Sequence, residues 1–463
     1  MPIMHLTDAA SQFGGTLLNP EGYFSKVCID SRTISSGDLF VAISGTNFDG
    51  HDFIEQIEDL ASGVVVEKAT LDIDIPQWVV PDTTVALGNL ARLRLNNFRG
   101  TIIALTGSSG KTSVKQAVAA ILSQCFQVHA TKGNLNNHFG VPLTLLDMEA
   151  DTEVAVIEMG ASAVGEIDYL SSIAPPDIAL VNNAQAAHIE GFGSREAIAF
   201  AKAEIYQNLK ADGVAIVNLD QPWVSQWLSI IGDRKHYSFS ISDSTANFHA
   251  ADITQHDGEK FCFRLCVNGL GADQLSQMVH LNLPGLHSVS NALAAAACAS
   301  AAGATIDQVV RGLETLQPVA GRLQYHHLSD HLTVIDDTYN ANPDSFKTAI
   351  DVLSQASGCK ILVMGDMGEL GDYAQDMHRE VGEYINQNNI DGFYAVGINS
   401  VYACDVANGQ HYSDKQLLVT ALVQQLEQLN SAKATTTVLI KGSRGAAMES
   451  VVTGILGMEG NLC

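Results

Sequence analysis

At 463 residues the chain is too long for one ordinary domain and implies two to four of them. Its 51 acidic against 25 basic residues, a formal net charge of −26, argue against a nucleic-acid partner, because a phosphate backbone repels such a surface; a phosphorylated small molecule stays compatible if the few cations are gathered locally. No apolar run reaches membrane-spanning length, Met1-Pro2-Ile3-Met4-His5 lacks the segments of a signal peptide, and the eight scattered cysteines show no metal-ligand spacing. A cytoplasmic protein with reduced thiols and no membrane insertion is expected.

Residues 1–82 read as mixed α/β and rich in turns, with Asp30-Ser31-Arg32 and a Gly45-Thr46-Asn47-Phe48-Asp49-Gly50-His51 stretch. Residues 83–100 read as a connecting helix carrying Leu87, Leu90, Leu93 and Leu95. Short continuous apolar runs follow at 101–105, 154–157, 178–181 and 214–217, separated by helical stretches, the pattern of a parallel sheet covered on both faces. A more polar β-like section spans 238–283, where Cys262 and Cys266 would share one strand face, and an Ala-rich helix spans 291–302. From 317 the alternation resumes, with strands at 332–335, 360–364, 392–396 and 437–440, as in a doubly wound, Rossmann-like domain. The expected architecture is α/β in three domains: a mixed N-terminal domain (1–82), a central parallel-sheet domain (83–316) and a doubly wound C-terminal domain (317–463).

Thr106-Gly107-Ser108-Ser109-Gly110-Lys111-Thr112-Ser113 lies between the first central strand and a helix starting near Lys111. Small residues let backbone N–H groups wrap a phosphate, the helix N-terminus favours anionic charge, Lys111 adds a point charge, and the Thr112 hydroxyl suits Mg²⁺. Leu105 stands where the longer Walker A loop has its first glycine. Glu158 and His188 follow the next two strands and should face this loop, because ligands of a parallel sheet gather at the carboxyl ends of its strands. A carboxylate oxygen suits Mg²⁺. Lys202 shares one helix face with Ile198, Ile205 and Leu209. Either its head reaches solvent along an apolar stem, or it is buried with a lowered pKa or an anionic partner.

The short Gly-x-x-Gly-Lys-Thr loop resembles that of the Mur ligase and folylpolyglutamate synthetase superfamily, where it binds the ATP phosphates. Further strings in order along the chain resemble the MurF branch of the Mur ligase family: Lys202-Ala203-Glu204-Ile205, Pro284 through Asn291 into Ala295, Gly321-Arg322, Asp336-Asp337-Thr338-Tyr339-Asn340-Ala341-Asn342-Pro343, Gly365-Asp366-Met367-Gly368-Glu369-Leu370-Gly371 and Lys441-Gly442-Ser443-Arg444. Singly, each also reads as a turn or a helix cap. Ser288 and Leu286 depart from the family's usual Asn and Arg, and the MurE-type Asp-Asn-Pro-Arg string is missing. The resemblance implies an ATP-dependent ligase that adds D-alanyl-D-alanine to UDP-N-acetylmuramoyl-tripeptide through an acyl phosphate. It implies two Mg²⁺ ions held with help from Thr112, Glu158, His188 and a CO₂-derived carbamate on Lys202, with Lys111, His188 and Lys202 in the catalytic group. ATP would be held by Gly107, Ser108, Ser109, Gly110, Lys111, Thr112, Ser113, Asn291 (adenine), Arg322 (phosphates) and Asp337 (ribose). Ser31, Arg32 and Thr46 would meet the UDP part of the substrate, Asn137, in the loop of residues 131–142, the substrate and the γ-phosphate, and Asn340, Asn342, Ser443 and Arg444 would make further substrate contacts. A monomer is expected.

Overall fold

The computed structural model describes residues 3–19, 22–70, 73–256, 260–269 and 275–457. Met1-Pro2 and parts of the 238–283 section therefore lie outside the described residues.

Among the described residues, three large sheets succeed one another along the chain, beside a two-stranded antiparallel pair of Met4–His5 with Tyr23–Phe24. The first has five strands in the order Thr16–Leu18, Gln77–Val79, Gly63–Val66, Leu39–Val41 and Val27–Cys28, parallel except for the Thr16–Leu18 edge. Thr83–Leu95 then forms a helix whose N-terminus is capped by Asp82, which accepts from the N–H groups of Thr84 and Val85. It ends at Leu95 with the last of its leucines, five residues short of the expected limit at 100, because Asn96-Asn97 turn the chain toward Gly100.

The central sheet has nine strands. Thr101–Thr106 sits between Val154–Glu158 and Ile178–Val181, all parallel, and the sheet continues through Val214–Asn218, Lys235–Ser240 and Phe248–His256. Lys260–Val267 and Leu275–Leu281 close that side as antiparallel strands. Alternate residues of Thr101–Thr106 enter two cores: Ile103 and Leu105 pack with Val114, Val118 and the Ala-rich helix, whereas Ile102 and Ala104 pack on the face that carries Ile198 and Ile205. Burial on both faces is the reason these strands read as unbroken apolar runs. The Ala-rich helix runs Leu286–Ala301, not 291–302. Gly285, at φ 78°, makes the sharp entry that starts the helix early, and the Ser288 hydroxyl donates to the carbonyl of Pro284 at 2.6 Å. Asn291 therefore sits inside the helix rather than at its start.

The third sheet has six strands in the order Gln324–Ser329, Leu332–Asp337, Thr436–Lys441, Cys359–Gly365, Gly392–Val396 and Gln410–Tyr412, parallel except for the first. Its register sets Asp337 directly beside Lys441. Among the described residues no helix is long and apolar enough to cross a membrane.

Candidate functional site

Because Thr101–Thr106 is flanked by the two strands that end in Glu158 and Val181, the sheet order alone brings the 107–110 loop, Glu158 and Asn182-Asn183 together at one edge. Gly110 takes φ 75° there, and a Cβ would lie 2.7 Å from side-chain atoms of both Asn182 and Asn291, so only glycine fits without a shift. The loop is held from behind: the Ser109 N–H donates to the Asn183 side chain at 2.9 Å, and the Ser108 N–H donates to the Asn183 carbonyl at 3.1 Å. Asn291 accepts from Asn182 at 3.0 Å. The Lys111 amine donates to the Gly107 carbonyl at 2.7 Å, folding back over its own loop. Burial lowers its pKa, Glu158 opposes that shift, and Arg322 adds to it.

Glu158 ends its strand with a buried side chain. Its Oε1 accepts from Asn136 at 2.8 Å and lies 3.4 Å from the Thr112 hydroxyl. Its Oε2 accepts no hydrogen bond, although the Lys115 ammonium stands 3.4 Å away. A buried carboxylate oxygen with spare lone pairs beside a threonine hydroxyl is a donor set that fits a hard divalent cation. His188 lies across the loop, in left-handed backbone at φ 55°, with Nδ1 2.6 Å from Glu369 Oε2 of the C-terminal sheet unit. Among the described residues no group of three or more His, Cys, Asp or Glu side chains has metal-binding geometry, so a second cation would need a further anionic ligand.

Lys202 is 1% exposed, on the helix Arg195–Gln207 that Ser194 caps. It forms no ion pair or hydrogen bond among the described residues; its amine lies 5.9 Å from the centre of the Phe192 ring. Of the outcomes open from sequence, the structure selects burial without an anionic partner. Burial, and secondarily Lys111, push the amine well below the ordinary lysine range. The neighbouring Glu204 is used otherwise: it accepts from the N–H groups of Gly165 and Asp168, at 2.8 and 3.0 Å, and so caps the helix Glu166–Ile173.

The C-terminal unit reaches into this edge. The Arg322 guanidinium lies 4.2 Å over the Tyr339 ring and donates to the Thr112 hydroxyl at 3.2 Å. Asp344 accepts from the Ala186 N–H at 2.9 Å. Asp337 is bound to Lys441 at 2.5 Å and accepts from the Leu323 N–H. A single cavity of about 1060 Å³ joins the loop residues 108–113, Asn136, Asn137, Glu158, His188 and Asn291 to Arg322, Asp337, Asn340, Asn342 and Arg444.

Not every expected residue joins it. Asn137 and Asn342 line the cavity, but each spends its side-chain oxygen on a helix start, Asn137 on the Gly140 N–H and Asn342 on the Ser345 N–H. Ser443 is buried beside the cavity, its N–H bound to the Asp366 carbonyl. Ser31, Arg32 and Thr46 lie in the N-terminal unit and do not line the cavity; Arg32 is paired with Asp30 at 2.6 Å, and that pairing holds the Asp30 carboxyl at about 2. Sequence reasoning passed over Lys115 and Asn136. For Lys115 a signal was present: it neighbours Val114 and precedes Val118 on the buried side of its helix, the same argument that singled out Lys202.

Three family models match the chain: the Mur ligase family catalytic domain over residues 24–92, the Mur ligase middle domain over 105–299, and the Mur ligase glutamate ligase domain over 321–444. The UDP-N-acetylmuramoyl-tripeptide--D-alanyl-D-alanine ligase of Escherichia coli K12 is 42% identical, with 97% of each chain covered. A crystal structure of MurF from Acinetobacter baumannii superposes with a TM-score of 0.92 at 34% identity, covering 99% of both chains. The MurF ligase of Thermotoga maritima in complex with ADP superposes at 0.83 with 29% identity, covering 95% of this chain and 98% of that one.

Proposed function

This chain belongs to the Mur ligase family and is an ATP-dependent ligase that forms an amide bond, and from that premise we propose that it joins D-alanyl-D-alanine to UDP-N-acetylmuramoyl-tripeptide in the assembly of the peptidoglycan precursor. The reading rests above all on the one cavity that joins the phosphate loop to the C-terminal unit, because a ligase must hold ATP, an acid and an amine within reach of each other. The reaction belongs to the cytoplasm, and one copy of the chain carries a whole site. The domain limits that go with this reading are 82/83 and 316/317.

In this reading the terminal carboxylate of the tripeptide attacks the γ-phosphorus of ATP, giving an acyl phosphate and ADP. The amine of the dipeptide then attacks the acyl carbon, loses a proton and expels phosphate. Gly107 through Ser113 cradle the phosphates, and Lys111 leaves its own loop carbonyl to meet the charge that spreads over the transferring group. Arg322, already at Thr112, supplies a second cation from the C-terminal unit. Asn291 faces the adenine and Asp337 the ribose. Thr112 and Glu158 would hold one Mg²⁺ ion, and His188 with a carbamate on Lys202 a second; such ions would supply neutralising charge for the phosphate oxygens. Burial, and secondarily Lys111, lower the pKa of Lys202 and so favour the uncharged amine, the form that combines with CO₂. Ser31, Arg32 and Thr46 meet the uridine diphosphate, Asn137 the peptide and the γ-phosphate, and Asn340, Asn342, Ser443 and Arg444 the incoming dipeptide.

The test is phosphate release from ATP and Mg²⁺ with UDP-N-acetylmuramoyl-tripeptide, with and without D-alanyl-D-alanine. Release that requires both, with a pentapeptide product by mass, is expected. Release with the tripeptide precursor and a single amino acid, or with glutamate, would keep the ligase chemistry and overturn the acceptor.

A further inference from the structure

We propose that Glu369 is a positioning residue for the ligation: brought in by the C-terminal unit, its carboxylate holds the His188 ring so that Nε2 is presented to the phosphate loop only when the two units are docked. The proposal rests on the reading of His188 as a cation ligand.

The two side chains come from different sheets and are 181 positions apart in sequence, yet His188 Nδ1 and Glu369 Oε2 stand 2.6 Å apart. Both residues occupy left-handed backbone, at φ 55° and 60°, a region that L side chains avoid because the Cβ crowds the backbone. Two such residues facing each other across a boundary indicate a geometry held from outside. The Glu369 side is held by Asp366, which accepts from the N–H groups of Ile398, Asn399 and Ser400, and by His378, which accepts from the Met367 N–H at 3.1 Å. The docking is close as well: at Gly371 a Cβ would lie 2.8 Å from Glu190, two residues beyond His188.

Stability does not account for the pair. The Glu369 side chain is 62% exposed, and an ion pair that open to solvent contributes little to stability. Orientation does account for it. An imidazole that ligates a cation through one nitrogen almost always gives its other N–H to a carboxylate or carbonyl, which fixes tautomer and ring angle. Here Nδ1 is the nitrogen that faces the carboxylate, 2.6 Å away but off the line of a good hydrogen bond, Nε2 makes no hydrogen bond among the described residues, and His188 lines the cavity. Glu369 reaches His188 only from the C-terminal unit, so ATP held by the central sheet alone would face a histidine without this carboxylate.

The experiment measures Mn²⁺ affinity in the presence of ADP by electron paramagnetic resonance, on the full chain, together with kcat and KM for each substrate. Glu369→Ala should weaken Mn²⁺ binding and lower kcat by about 10–100-fold, leave the KM for the dipeptide unchanged and barely move the melting temperature. Glu369→Gln keeps a side-chain oxygen at the same reach and should recover part of the loss. His188→Ala should lose as much as the His188→Ala/Glu369→Ala double variant. Glu369→Gly, free of Cβ strain at this φ, should lose as much as the Ala variant; normal affinity in it would assign the effect to the backbone and overturn the proposal. Unchanged Mn²⁺ affinity in Glu369→Ala, with a loss in His188→Ala, would overturn the role of Glu369 while leaving His188 a ligand. Unchanged affinity in His188→Ala would overturn the ligand reading and this inference with it.

Discussion

Replacing Lys202 by Met in CO₂-free buffer should stabilise the protein at neutral pH and remove a slope from its pH dependence. In the unfolded chain a lysine stays protonated up to about pH 10.4. In the folded protein burial, reinforced by Lys111, disfavours the charged form. Between the depressed folded value and about 10.4 the unfolded state therefore binds more protons, and stability rises with pH by about 1.4 kcal/mol per unit. Above that window neither state is protonated and the slope ends; below it the penalty is fully developed. Methionine fills nearly the same volume with no charge to desolvate. Its advantage over the wild type should therefore shrink as pH rises through that window, by up to about 1.4 kcal/mol per unit. Urea denaturation followed by tryptophan fluorescence reads this: Trp227 is fully buried and donates to the Ala199 carbonyl of the Lys202 helix at 3.1 Å. Parallel pH profiles for the two proteins would refute the claim that burial lowers the Lys202 pKa. Lys202→Ala should also fold and yet show no ligase turnover, and wild-type turnover in that variant would remove the carbamate from the mechanism.

Asp337→Asn leaves the Lys441 ammonium, 3% exposed, without its anion, and should cost about 3–5 kcal/mol by chemical denaturation; adding Lys441→Met should restore much of it. Asn342→Ala removes the cap of the helix Pro343–Ser354 and should cost about 1 kcal/mol, while a role in substrate binding would appear separately as a raised KM for the dipeptide. Glu158→Gln removes the charge opposite Lys115 and the oxygen pair beside Thr112; it should raise the Mg²⁺ concentration needed for half-maximal turnover at least tenfold, and an unchanged requirement would exclude Glu158 as a ligand.

The parallel strands were legible because each is buried on both faces and so spells an unbroken apolar run; Ile178–Val181 and Gly392–Val396 coincide with their expected limits. Lys202 was legible for a related reason, since a single lysine on an otherwise apolar helix face contradicts its surroundings in the sequence itself. Helix ends were read less well: the Ala-rich helix begins at a glycine with positive φ, and its conformation is decided by what packs around it. The turn at 107–110 is local, one strand, one turn and one helix start, and so its place was legible from the sequence. What only the tertiary structure decided were the pairings between distant segments: Arg322 with Thr112, Asp337 with Lys441, Lys115 with Glu158 and Glu369 with His188. None has a periodicity to betray it, because each depends on strand order, on register or on the docking of one sheet against another. The same holds for the division of labour within the Gly365 to Gly371 string. There Asp366 anchors a loop, Glu369 crosses to the central sheet unit and Gly371 allows the close approach, three roles that geometry assigns to neighbours in sequence.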